Sequence, residues 1–135
     1  MRAAALAVAL ALTAGCVNYP TVMEAGGTRV RPDKGRAVRQ ADGAAVYFEL
    51  RSTGKYGDVI TGVYSPVARQ AALVDAGGAP VERVEVPGAT TVSFTADGPH
   101  VVLSDLTRPL TPGETIIVTL LFEKSGGIGV ITTVE

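Results

Sequence analysis

From Ala44 to Arg51 apolar and polar side chains alternate: Val46, Phe48 and Leu50 fall on one face, Tyr47, Glu49 and Arg51 on the other. A period of two marks a strand with one face buried and one in water. Ser52-Thr53-Gly54 ends it. Asp58 to Ser65 reads as the next strand. Pro66 stops it, because proline has no N–H to give a sheet ladder. Shorter strands are predicted at Ala71–Val74 and Arg83–Val86. After the turn pair Pro87-Gly88, Thr90–Thr95 resumes the alternation with Val92 and Phe94. His100–Leu103 is a short strand or its edge. Thr111-Pro112-Gly113-Glu114 places Pro before Gly, as a type II turn prefers. Ile116, Val118, Leu120 and Phe122 form the core face of a long strand, and Gly126-Gly127 turns it into Ile128–Val134.

No segment of this region carries a helical period. Short strands at this spacing, punctuated by turn residues, predict an all-β fold: one antiparallel two-sheet β-sandwich. Its predicted core is Val46, Phe48, Leu50, Ile60, Val63, Val92, Phe94, Val118, Leu120, Phe122 and Val130. Residues 28–39 carry Arg29, Arg31, Lys34, Arg36 and Arg39 against one acid, Asp33. They are expected to form a solvated arm and first strand; the other reading has them touching anionic lipid headgroups.

The first residues obey a different rule. Met1 and Arg2 precede an unbroken run of Ala, Leu and Val over residues 3–12, then Thr13-Ala14-Gly15-Cys16. The run is too short to span a bilayer. A basic start, a short apolar run and small residues before a cut describe an export signal. With the chain's single cysteine directly after them, the segment resembles a bacterial lipobox, although Thr13 stands where leucine is commoner. The resemblance implies cleavage before Cys16, acylation of its thiol, and a lipid anchor facing the extracytoplasmic side of a bacterial membrane. The expected organisation is signal peptide 1–15, lipidated cysteine and tether 16–27, and β-sandwich domain 28–135. Losing Arg2 reduces 12 basic side chains by one against 13 acidic, a net charge of −2. That balance speaks against nucleic acid as a partner.

Several segments, in order, resemble the PCuAC family of extracytoplasmic copper chaperones. They are Gly43-Ala44-Ala45-Val46-Tyr47-Phe48-Glu49-Leu50; Asp58 through Ser65-Pro66; Val84-Glu85-Val86-Pro87; Gly98-Pro99-His100-Val101-Val102-Leu103; Leu106 with Pro109-Leu110 and Gly113-Glu114-Thr115; and Phe122-Glu123-Lys124-Ser125-Gly126. Together they cover roughly residues 43–135. The resemblance implies a cupredoxin-like, Greek-key sandwich and a copper site of two histidines and two methionines, soft ligands suited to Cu(I). Carried over position by position, only His100 survives. Val74 stands at the first histidine's place and Val102 at the second methionine's, and the hairpin that would bear the first methionine, Ala76–Val84, has none. Met23, in the tether, is the one methionine after the leader.

Catalysis has little support. Ser104 and Asp105 follow His100 closely, but no glycine-rich elbow precedes Ser104. Gly126-Gly127-Ile128-Gly129 lies between two strands and reads as a hairpin, not a phosphate cradle. The expectation is therefore a membrane-anchored, non-catalytic binding or interaction module without cofactor, meeting an extracytoplasmic protein partner. The alternative is a copper-handling chaperone with a reduced site centred on His100.

Overall fold

The computed structural model describes residues 29–135; the predicted signal peptide and tether, with Cys16 and Met23, lie outside them. Nine strands follow in order: β1 (Val30–Gln40), β2 (Gly43–Ser52), β3 (Asp58–Tyr64), β4 (Ala68–Val74), β5 (Val84–Val86), β6 (Thr90–Phe94), β7 (His100–Leu106), β8 (Thr115–Phe122) and β9 (Gly126–Val134). The described residues contain no helix.

The sheet runs β4-β7-β2-β1-β9-β8-β3-β5, with β6 paired to β2. Along its second edge β2 pairs first with β7, as far as Val46, and then with β6, from Phe48. Every ladder is antiparallel except β1–β9, which is parallel over Gly35↔Thr132, Arg36↔Thr133 and Ala37↔Val134. The expectation of an antiparallel two-sheet sandwich therefore needs correction. Two antiparallel halves, β4-β7-β2-β1 and β9-β8-β3-β5, are joined by this short parallel seam into one continuous, nearly closed mixed sheet.

Local chemistry explains the seam. The β1–β2 register shifts between Asp33 and Arg36, and Lys34 sits there at φ 56°. The Asp33 carboxylate accepts the Lys34 N–H at 2.8 Å, which secures the irregularity. A bulge of this kind bends a strand and re-aims it. Next comes Gly35, where a Cβ would lie 2.4 Å from the Ile131 carbonyl oxygen. Only glycine allows that approach. Past the seam, Glu135 donates its N–H to the Ala37 carbonyl at 2.8 Å, and Arg36 pairs with the Glu135 carboxylate at 3.3 Å.

The core lies between the two halves. Val46, Phe48, Leu50, Ile60, Phe94, Val118, Leu120, Phe122 and Val130 are buried as predicted; Val63 and Val92 are half-buried and pack against them. Phe48 and Phe94, cross-strand neighbours, stack with centroids 4.4 Å apart. Several strand limits differ from expectation. The supposed arm is an eleven-residue strand. β4 starts at Ala68, before Ala71, and β7 continues past Leu103 to Leu106 because the two pair along that length. Gly126-Gly127 belongs to β9, and the turn is Glu123–Ser125, closed by the Phe122↔Gly126 pair with Gly126 at φ 74°. The Thr111–Glu114 turn matches: Gly113 has φ 89° and Glu114 N–H reaches Thr111 O at 3.1 Å. Arg108 clamps this turn by hydrogen-bonding Glu114. That contact, helped by the Thr111 N–H, holds the Glu114 carboxyl down at about 2.

Asp58 fastens the second half. It is 3% exposed, yet its carboxylate accepts the backbone N–H groups of Val59 (2.8 Å), Lys124 (2.9 Å) and Ser125 (2.9 Å) and the Ser125 hydroxyl (2.6 Å). It thereby ties the β8–β9 turn to the start of β3. Burial pushes its pKa up, but the hydrogen bonds from Ser125, Lys124 and Val59 outweigh burial and hold the carboxyl below its ordinary range.

Two measurements check this account. Phe122→Ala should cost about 3–5 kcal/mol in chemical denaturation, as buried phenylalanines do; a loss under about 1 kcal/mol would place the ring outside the core. For Asp58 the lowered folded pKa means that its stabilisation is complete above the unfolded value of about 3.9. It is lost as the pH falls through the folded value. Asp58→Asn should be less stable at neutral pH and show a flatter acid limb below about pH 4. An acid limb identical to that of the unaltered protein would rule out the clamp.

Candidate functional site

His100 opens β7 immediately after the Thr95–Gly98 turn. In the β4–β7 ladder it stands directly opposite Val74, the last residue of β4, and Val102 stands opposite Ala72. Directly opposed residues share a sheet face, and so do residues two apart on one strand. Val74, His100 and Val102 therefore lie together on one face, while their neighbours Leu73, Val101 and Leu103 belong to the core on the other. The three positions that the family resemblance connects are thus brought into one cluster by this chain's own strand register.

The imidazole is 9% exposed and held on two sides. The Tyr47 ring, from β2, lies 5.5 Å away and is tilted by 58°. Nδ1 lies 3.0 Å from the Gly98 carbonyl oxygen. A carbonyl can only accept, so the neutral ring carries its proton on Nδ1 and keeps the lone pair on Nε2. Metal-binding histidines are oriented by the same kind of bond from the other ring nitrogen. On the far side of Tyr47, the Arg36 guanidinium carbon sits 4.9 Å from the ring centroid. Arg36 in turn meets Glu135, so one row runs from Val74 through His100, Tyr47 and Arg36 to the end of the chain. Tyr47 was legible only as an outward-facing residue of its strand. Its contact with His100 depends on the β2–β7 register, for which an isolated strand has no signal.

The loop after Val74 is built on Asp75, whose carboxylate oxygen accepts the N–H groups of Gly77 and Ala79, each at 2.9 Å. Val74 bridges to Pro80, and Val81 N–H returns to Leu73 O at 2.9 Å. This loop passes beside the cluster but carries no Met, His or Cys. Among the described residues no group of three or more His, Cys, Asp or Glu side chains converges on a metal position. Of the three positions that the resemblance connects, His100 is the one whose side chain carries a donor atom.

Ser104 and Asp105 do not assemble with His100. The Ser104 hydroxyl donates to Gln70 at 3.3 Å, and Asp105 pairs with Arg69 at 3.2 Å. His100 hydrogen-bonds the Gly98 carbonyl instead, so the hydrogen bonds of a relay are missing from this trio.

Known structures share this architecture. A copper-bound PCuAC domain from PmoF2 superposes with a TM-score of 0.71 at 24% identity, covering 82% of this chain and 95% of that one. The apo PCuAC domain from PmoF1 gives 0.68 at 22%, covering 83% and 96%. The Cu(I) form of DR1885 from Deinococcus radiodurans gives 0.65 at 27%, covering 80% and 77%. No curated protein matches the chain significantly. Residues 20–134 match the family described as "Putative lipoprotein LpqE-like", and the chain belongs to this LpqE-like family.

Proposed function

We propose that the protein is a lipid-anchored, extracytoplasmic copper-handling module of the PCuAC type whose own share of the metal site is reduced to His100. Copper is cargo in this reading, and the protein is not an enzyme. One observation carries the proposal. His100 keeps the position that the resemblance gives to a ligand, and its Nδ1 is tied to Gly98 so that Nε2 holds the free lone pair. Likeness in fold to domains described as copper-bound adds support. Val74 and Val102 contribute no donor atoms, so the remaining ligands come from the protein that delivers or accepts the ion. Those same valines favour a second reading, an interaction module that meets a protein partner without copper.

Both readings expect weak binding by the chain alone. A site with one imidazole should hold Cu(I) at micromolar or weaker, about −8 kcal/mol or less favourable. Competition against a strong Cu(I) chelator should therefore strip the protein completely. Stoichiometric retention, lost in His100→Ala, would mean a full site and overturn the reduced one. The two readings separate at higher concentration. Without the chelator, Cu(I) should shift the His100 ring resonances, and His100→Ala should abolish the response while leaving the fold intact. If the ring resonances do not respond even at millimolar Cu(I), the copper reading fails and the copper-free module stands.

The placement rests on Cys16, and the lipoprotein family supports it. Mass spectrometry of the native N-terminus should show loss of residues 1–15 and a diacylglyceryl group on Cys16. An unmodified mature N-terminus elsewhere would refute the anchor. Cys16→Ala should release the protein from membranes or stall its processing.

A further inference from the structure

We propose that the start of β1 and the end of β2 form a docking surface for the anionic headgroups of the membrane, so that the domain rests on the lipid by this end. The β1–β2 register sets Arg31 directly opposite Arg51, on the face turned away from the core. Like charges directly opposed weaken a strand pair. Both side chains are exposed, and among the described residues neither has a carboxylate partner. The pairing costs stability, and an anion lying across both guanidinium groups would offset that cost.

The neighbourhood extends the positive surface. Arg29 is exposed beside them, and its carbonyl accepts the Thr53 N–H at 2.9 Å, which brings it to the end of β2. Lys55 follows just beyond, with its ammonium 5.4 Å from the ring centroid of Tyr56, itself 54% exposed. An exposed aromatic ring with a polar tip suits the boundary between headgroups and acyl chains. Acids begin one row further in, at Asp33 opposite Glu49, where Lys34 meets Glu49 at 3.6 Å. Arg31 and Arg51 thus lie in the last row of this surface, beyond its first acids.

The chain's path names the occupant. Residue 29 is where the domain joins the segment running back to Cys16. Thirteen residues, 16–28, span at most about 45 Å fully extended. With Cys16 acylated, as proposed above, this end is the one tethered to the headgroups. Basic side chains near an anionic surface are each worth about a fivefold change in partitioning, within a Debye length of contact. The inference does not rest on the copper reading, and its test uses no metal.

The test is sedimentation of the mature chain carrying Cys16→Ser, so that acyl chains do not mask weaker contacts. The probes are vesicles of phosphatidylcholine alone and of equal parts phosphatidylcholine and phosphatidylglycerol. Binding should require phosphatidylglycerol and fall as sodium chloride rises. Arg31→Ala with Arg51→Ala should lower partitioning about 25-fold. Lysine at both positions should retain most of the binding, and this pair also guards against a folding defect in the alanine pair. Arg69→Ala with Arg108→Ala removes the same charge at the opposite end of the sheet and should leave binding unchanged. The proposal is overturned if the mature chain ignores phosphatidylglycerol or binds both vesicles equally. It is likewise overturned if the two alanine pairs lose binding to the same extent.

Discussion

The whole fold turns on three residue pairs between its first and last strands. Gly35, Arg36 and Ala37 meet Thr132, Thr133 and Val134 in parallel, and no other ladder joins the two antiparallel halves. Each half taken alone would be a curved sheet with an exposed apolar face. The seam brings the two faces together, which buries Ala37, Val130 and Val134 at the junction itself. Three conditions make it possible. The bulge at Lys34 turns β1 toward β9, the missing Cβ at Gly35 lets the Ile131 carbonyl approach, and Glu135 continues the contact onto Ala37 and Arg36. The paired residues lie almost a hundred positions apart, so the closure is the kind of non-local contact that forms only after a large loop has been ordered.

The seam also decides what β1 can offer to its surroundings. Its second edge is occupied by β2 along its whole length, so the outward side chains of β1 and β2 make one continuous surface. Along that surface the chemistry changes row by row. Arg31 and Arg51 lie at one end, then Asp33 and Glu49, then Arg36 and Tyr47, with His100 and Val74 beyond Tyr47 on the neighbouring strands. The basic end and the histidine are therefore parts of one sheet face, fixed relative to each other by backbone ladders. A domain resting on headgroups by its first row would hold His100 at a constant height above them.

Much of this was legible in the sequence because alternation is a local signal. Val46, Phe48 and Leu50, or Ile116, Val118, Leu120 and Phe122, announce their buried face without reference to any other segment. The Pro-Gly order at residues 112 and 113 fixed its turn in the same way. What stayed hidden is what depends on pairing. Nothing local in Asp33-Lys34-Gly35 says that β1 will bulge and take a parallel partner from the far end of the chain. The run from Arg29 to Arg39 read as a solvated arm and first strand, and charge obscured how early the strand begins, at the buried Val30. At the candidate site, Val74 and Val102 could be named beside His100 only through family resemblance. Their shared face, and Tyr47 against the ring, came from register.

The cluster lies on the sheet face opposite the main core cluster, and that bears on how such a site can vary. Val74, His100 and Val102 sit on strands whose other faces supply Leu73, Val101 and Leu103 to the interior. The β4–β7 ladder is held by backbone hydrogen bonds, which do not depend on side-chain identity. Valine on this face suits the sheet, since it favours an extended backbone. The scaffold is therefore free to keep its architecture while its donor set changes, and likeness in fold cannot by itself fix the donor set. Retention of the one imidazole is a different matter. A buried polar ring needs a partner, and the Gly98 carbonyl supplies it through Nδ1, leaving the Nε2 lone pair free of that bond. Valine would fill this strand position at less cost, as it does at Val74 and Val102.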